Sequence, residues 1–284
     1  MSHKKSNVVP QAVMSLLLSR QVMTLSIPVL LLSCAPSRQE QAESLYAEAV
    51  EAFSNKKMGE AKVLLDSVKN YYSDIPTACR EARDLGRLVV RYEGERTLAF
   101  LDSSLAACEQ RLQEQMSSMA VDDANAPMPV YVAKVQQTWR AYGRCYLKAK
   151  TDANGHFSIT SNYVGEKPIH HDHFEIKCGE QFVSMRQVDD GAFRNTFSNE
   201  EYVWETLRYE GHEAADVAKF ISLYEGQRIV VEYLGPKAHY IASMTEADKK
   251  AICQVWELSR SLRESRKIRS LIRSVRLEMT HTAH

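Results

Sequence analysis

The spacing of apolar residues changes period twice along this chain, and only a fold that houses both patterns can bury them. From Gln41 to about Ser118, apolar residues recur every three or four positions: Leu45, Ala49, Ala52 and Phe53; then Ala61, Leu64, Leu65 and Val68; then Leu85, Val89 and Tyr92 through Leu101, Leu105, Cys108 and Leu112. That is the period of a helix with one buried stripe. Around Cys145 the period becomes two, with Cys145, Leu147 and Ala149 alternating against Tyr146, Lys148 and Lys150, as on a half-buried strand. After Thr245 it returns to helical through Ile252, Val255, Leu258, Leu262, Ile268, Ile272 and Val275. The expected fold is α+β: an N-terminal helical hairpin and long helix, a central antiparallel β module with one short helix, and a long C-terminal helix pairing back as an antiparallel, coiled-coil-like arm.

Breakers place the boundaries. Asn55-Lys56-Lys57-Met58-Gly59 separates the first two helices, and Pro76 suits the start of the third, because its missing N–H would be unpaired there anyway. Gly86 and Gly94 weaken the middle of that long helix and mark a place to bend. Asp122-Asp123 and Pro127-Met128-Pro129 make 120–129 a linker between a helical part, 41–119, and a β module, 130–244. Within the module, Asn154-Gly155 suits positive φ and makes 141–163 a hairpin, and strands follow at 169–178, 181–188 and 201–209. A short helix from Glu213 to Tyr224 precedes a strand from Arg228 to Leu234 and another near His239 to Met244. Thr245-Glu246-Ala247-Asp248 has the form of a helix N-cap with an acidic third position, opening the terminal helix, 245–284.

The first 33 residues read as an address. A basic start (His3, Lys4, Lys5) and Arg20 precede an apolar run from Val22 to Ser33. As a helix that run covers about 18 Å, against a hydrocarbon core of roughly 30 Å, so it is a poor membrane span. Leu31-Leu32-Ser33-Cys34 instead resembles the bacterial lipoprotein signal, with a small residue before the cysteine. The reading is a signal peptide over 1–33, lipidation at Cys34 and a tether over 34–40. Met1 and Met14 are both plausible starts.

Lysine plus arginine and aspartate plus glutamate both number 36, so no global charge argues for nucleic acid. Of six cysteines, Cys34 is assigned to the anchor; Cys79, Cys108, Cys145, Cys178 and Cys253 show no Cys-x-x-Cys spacing for zinc. Cys145 and Cys178 form the one pair worth weighing as a disulfide, and free cysteines acting as small apolar residues are the alternative.

Two resemblances add to this. Ala49 and Ala52-Phe53, with Ala61, Leu65 and Val68, resemble the two helices of a single tetratricopeptide unit, which implies a protein-binding groove. A helical hairpin packed on a longer helix explains the same residues and implies none. The runs Tyr146 to Asp152, Gly155-His156-Phe157, Ser161 to Gly165, Phe220-Ile221 and Ile229 to Gly235, with the helix start from Asp248, resemble a group of uncharacterised lipoproteins of anaerobic Gram-negative bacteria. That resemblance implies an anchored helix–sheet–helix body and brings no catalytic residues.

Four constellations bear on chemistry. His170-His171-Asp172-His173 puts His171 and His173 on one face of a strand, and His156 is the best third ligand for a metal ion; a solvated strand edge is the alternative. His212-Glu213-Ala214-Ala215-Asp216 is a near miss for a metalloprotease helix, with Asp216 where the second histidine belongs; a helix-start acid favoured by the macrodipole explains Glu213 better. The aromatics Trp139, Tyr142, Tyr163 and Trp204 are candidates for stacking on sugars, and core packing is the alternative. Finally, the last helix carries Arg260, Arg263, Arg266, Lys267, Arg269, Arg273 and Arg276 against Glu264 and Glu278, a face suited to anionic lipid headgroups or an acidic partner. The alternative is the solvated side of a long helix, pairing with acids such as Asp102, Glu109 and Glu114 on the opposing arm.

No Gly-x-Ser-x-Gly elbow or phosphate-binding Gly-x-x-x-x-Gly-Lys is present, and no cofactor is expected. The function expected is that of a non-enzymatic, membrane-anchored lipoprotein with a structural or protein-interaction role, in the outer membrane facing the periplasm. Its partners would be the membrane, through the lipid, and a protein or anionic headgroups, through the basic helix. A sugar- or metal-binding lipoprotein is the alternative, and a hydrolase the third choice.

Overall fold

The computed structural model describes residues 36–123, 127–137, 143–189, 191 and 193–282, and its fold is α+β. Helix α1 (Arg38–Ser54) opens on a capping box: the Ser37 hydroxyl accepts the Glu40 N–H at 3.2 Å, and the Glu40 carboxylate accepts the Ser37 N–H at 2.6 Å. The cap starts the helix three residues before the expected Gln41, so the segment read as a tether to residue 40 is helical from Arg38. Helix α2 (Met58–Tyr71) returns along α1, and helix α3 (Pro76–Met116) crosses both. Ala42, Ala49 and Ala52 meet Ala61, Leu65 and Val68, and Ala78, Ala82, Leu85 and Val89 close the cluster. The repeat-like hairpin therefore packs on the first half of a longer helix. Small residues on α1 let the three backbones approach closely.

Helix α3 is the spine of the molecule. Its 41 residues span about 60 Å at 1.5 Å per residue. It runs through Gly86 and Gly94 without interruption. At Gly94 a Cβ would lie 2.5 Å from the Met279 sulfur, so this glycine admits a close neighbour. Met279 belongs to helix α5 (Glu246–Thr282), which pairs antiparallel with the second half of α3. Leu101 and Cys108 bury against Ile268 and Ile272, while Arg269–Glu109 and Arg111–Glu264 bridge the seam at 2.7 and 2.9 Å. Asp102 and Glu114, expected in the same role, have no such bridge across the seam among the described residues.

Among the described residues ten strands form two antiparallel sheets. The first holds β1 (Met119–Asp123), β2 (Val130–Ala133), β3 (Tyr146–Asp152), β4 (Phe157–Gly165), β7 (Arg194–Ser198) and β8 (Val203–Glu210), in the order β1-β2-β3-β4-β8-β7. The second holds β5 (His173–Cys178), β6 (Gln181–Ser184), β9 (Val230–Leu234) and β10 (His239–Ser243), in the order β10-β9-β5-β6. Residues 119–123 thus correct the expected linker: they follow α3 at once and pair with β2. Strands β2 and β7 are likewise absent from the sequence reading. Helix α4 (Gly211–Leu223) buries Val217, Ala218 and Ile221 in the core that the two sheets share with α5. Phe174 and Tyr209 meet edge to face in that core, 5.3 Å between centroids. Cys145 and Cys178 are both free: Cys145 lies against the Val164 backbone and Cys178 against Gln227.

Candidate functional site

The Asp152–Gly155 turn between β3 and β4 is seated on α5, more than a hundred residues away in sequence. Ser259 Oγ donates to the Gly155 carbonyl at 3.1 Å, and Arg266 Nη1 donates to the Asn154 carbonyl at 3.1 Å. Gly155 has φ of 80°, and a Cβ there would sit 2.6 Å from the Ser259 carbonyl oxygen and 2.7 Å from Arg263 Cγ. Both the conformation and the space demand glycine.

Beside this seat opens a cleft of about 950 Å³. Phe157 and Trp256 meet edge to face in its lining, 5.0 Å between centroids, and the Arg263 guanidinium lies 5.2 Å over the indole. Ser158 and Thr160 offer hydroxyls, and Lys150, Arg208 and Lys219 offer cations. Those cations are already matched: Lys150 to Asp122, Arg208 to Glu210, and Lys219 to Asp216. Asp122 also takes the nearly buried Lys148 ammonium at 2.7 Å. Burial works to raise the Asp122 carboxyl, but hydrogen bonds from the two lysines outweigh it and hold it below the usual carboxylate range.

A second polar group lies wholly inside. His171 Nε2 is 3.3 Å from Ser161 Oγ, and His171 Nδ1 is 3.1 Å from Glu205 Oε2. The Glu205 carboxylate also accepts the N–H groups of His170 and His171, at 2.9 and 2.8 Å. These bonds replace ladder bonds, and His170 takes φ of 55°, which is why the strand expected from 169 begins only at His173. The order hydroxyl, imidazole, carboxylate is that of an acyl-transfer triad. Here, however, Ser161 and His171 have no exposed surface, Glu205 has 2%, and Tyr163 and Tyr233 pack on the imidazole. No substrate reaches a hydroxyl so placed. The group joins β4 and β8 of one sheet to the segment entering the other. Burial tends to raise the Glu205 carboxyl, but its bonds to the His171 ring and the two backbone N–H groups hold it low.

The histidines proposed for a metal are not brought together. His171 faces Glu205, His173 Nδ1 is 2.6 Å from Asp172, and His156 Nδ1 is 2.8 Å from Asp152 on the exposed turn at the far end of β4. His171 sits before the strand rather than on it, so it shares no strand face with His173. Among the described residues no group of three or more His, Cys, Asp or Glu is arranged to hold a metal ion. On α4, Glu213 bonds Arg186 and Asp216 bonds Lys219, so the protease-like acids serve surface pairs. Of the sugar-stacking candidates, Tyr163 is buried and Trp204 is covered by Phe197, stacked at 5.0 Å and 6°. Trp139, Tyr142 and Cys34 lie outside the described residues.

Sequence reasoning missed Trp256, Phe157 and Arg263 as one site, and Ser161 and Glu205 as partners of His171. Asn154-Gly155 marked a turn, but nothing local marks what that turn docks against. No protein-family model, curated protein or solved structure matches this chain.

Proposed function

We propose that this chain is a membrane-anchored bacterial lipoprotein with a non-enzymatic, structural or protein-interaction role, in which a helical rod carries the β module away from the bilayer. The observation that carries the reading is where the chain enters the rod. Cys34 precedes Arg38 by four residues, and Arg38 bonds the Tyr71 carbonyl and Asp74, each at 2.8 Å, just before α3 begins at Pro76. The entry point thus lies at one end of α3 and the sheets at the other, about 60 Å away. The resemblance to lipoproteins of anaerobic Gram-negative bacteria supports the same reading, with the outer membrane, periplasmic face, as the location.

Labelled fatty acid supplied to cells should enter the wild-type protein and not Cys34→Ala, which should also remain uncut before residue 34. Equal label on both proteins would sink the anchor. The cleft beside Trp256 favours a second reading, a ligand-binding lipoprotein. A thermal-shift screen with neutral glycans separates the two, since stabilisation lost in Trp256→Ala would favour the ligand-binding role.

A further inference from the structure

We propose that the outer face of α5 between Arg263 and Arg273 is a binding site for a multiply charged phosphate group. A groove of about 380 Å³ there is lined by Arg263, Arg266, Lys267, Arg269, Arg273 and the Ser270 side chain, without a single carboxylate. Several other surface cations of this neutral protein are matched by nearby acids: Arg87 by Asp84, Arg91 by Glu95, Arg186 by Glu213. Along the groove that matching fails. Glu264 turns away to Arg111 on α3, and among the described residues only Arg269 of this set has an acidic partner, Glu109. Among the described residues no ion pair holds Lys267 or Arg273.

Two of the arginines are nevertheless held in place, and by neutral groups. The Trp256 indole supports Arg263, and the Asn154 carbonyl fixes Arg266. Such partners restrict the side chains without neutralising them, which lowers the ordering cost of binding an anion. Gly155 makes this possible, because any larger residue would lift the turn off α5. Five cations over three helical turns repel one another, an arrangement that costs stability and is relieved by a polyanion. Four of the five are arginines, whose planar fork matches phosphate oxygens in pairs. Binding here does not require a lipid on Cys34, so this site and the anchor fail separately.

The test uses the full chain in uncharged detergent, titrated with inorganic tripolyphosphate at low ionic strength by calorimetry. The triple variant Arg266→Gln, Lys267→Gln, Arg273→Gln should bind at least about tenfold more weakly, a loss of one charge-assisted contact or more, and should melt no lower than wild type. Arg87→Gln with Arg91→Gln, on α3, should bind like wild type. Phosphatidylcholine vesicles with and without phosphatidic acid then identify the source of the phosphate. Extra uptake by the doped vesicles, lost in the triple variant, assigns a lipid headgroup; tripolyphosphate binding without extra uptake assigns a soluble phosphate compound. Equal affinity in wild type and triple variant overturns the site, and so does equally tight binding of a glutamate peptide of matched charge.

Discussion

Arg144 forks onto Asp248 with two bonds, Nη1 to Oδ2 at 2.6 Å and Nη2 to Oδ1 at 2.8 Å, and so joins the start of β3 to the first turn of α5. The same carboxylate accepts Gln136 Nε2 at 3.0 Å and the Thr245 hydroxyl at 2.7 Å, while Thr245 Oγ1 accepts the Asp248 N–H at 3.1 Å as the expected N-cap. Asp248 is nearly buried, so its removal leaves donors from three elements without an acceptor. Asp248→Ala should cost about 3 kcal/mol, in the range for breaking a buried ion pair, and Arg144→Ala should cost less because the guanidinium is partly exposed. Urea unfolding of the two single variants and the double variant would give the coupling. A coupling near zero would mean that the fork adds nothing.

Gly155 is the residue on which both the cleft and the arrangement of Arg263 and Arg266 depend. Gly155→Ala places a Cβ against the Ser259 carbonyl and Arg263 in a left-handed conformation. It should destabilise by about 1–3 kcal/mol and should lower tripolyphosphate affinity as well. Calorimetry and thermal melts on the same sample check both effects.

Acid should unfold the protein through a small set of carboxylates. Asp122, Glu205 and Asp248 all have carboxyls held below their ordinary values in the folded chain. A carboxyl lowered by folding contributes stability that is fully present above its unfolded pKa, near 4, and is lost as pH falls through its folded pKa. Stability should therefore be flat above about pH 5 and decline below about pH 4. Glu205→Gln should be less stable at pH 7 but show a shallower acid decline, measured as urea midpoints against pH. An unchanged slope in that variant would remove Glu205 from the set.

The seam between α3 and α5 rests on few buried side chains. Ile272→Ala should cost about 2–4 kcal/mol, as for other aliphatic truncations in a packed core. Because Leu101 and Ile272 lie apart from the cores at either end of α3, amide exchange should speed up first along the second half of α3 and the tail of α5. Uniform acceleration over the whole chain would show a single cooperative core instead.

The sequence by itself determined the elements whose signals are local. Apolar period placed helices α1 to α5 and most strands, Pro76 opened α3, Thr245 capped α5, and Asn154-Gly155 made the hairpin turn. Such features depend on neighbours within a few residues, so they are legible without knowing the fold. Tertiary structure alone decided β1, β2 and β7, short strands with no clean alternation that exist because neighbouring strands offer them hydrogen bonds. It also turned His171 inward to Glu205, where a local reading put it on a strand face, because a buried carboxylate needs donors and two backbone N–H groups lay within reach. The seating of Gly155 on Ser259 and the support of Arg263 by Trp256 were settled in the same way. Each joins residues from separate elements, and a linear chain carries no mark of the contacts its folding will make.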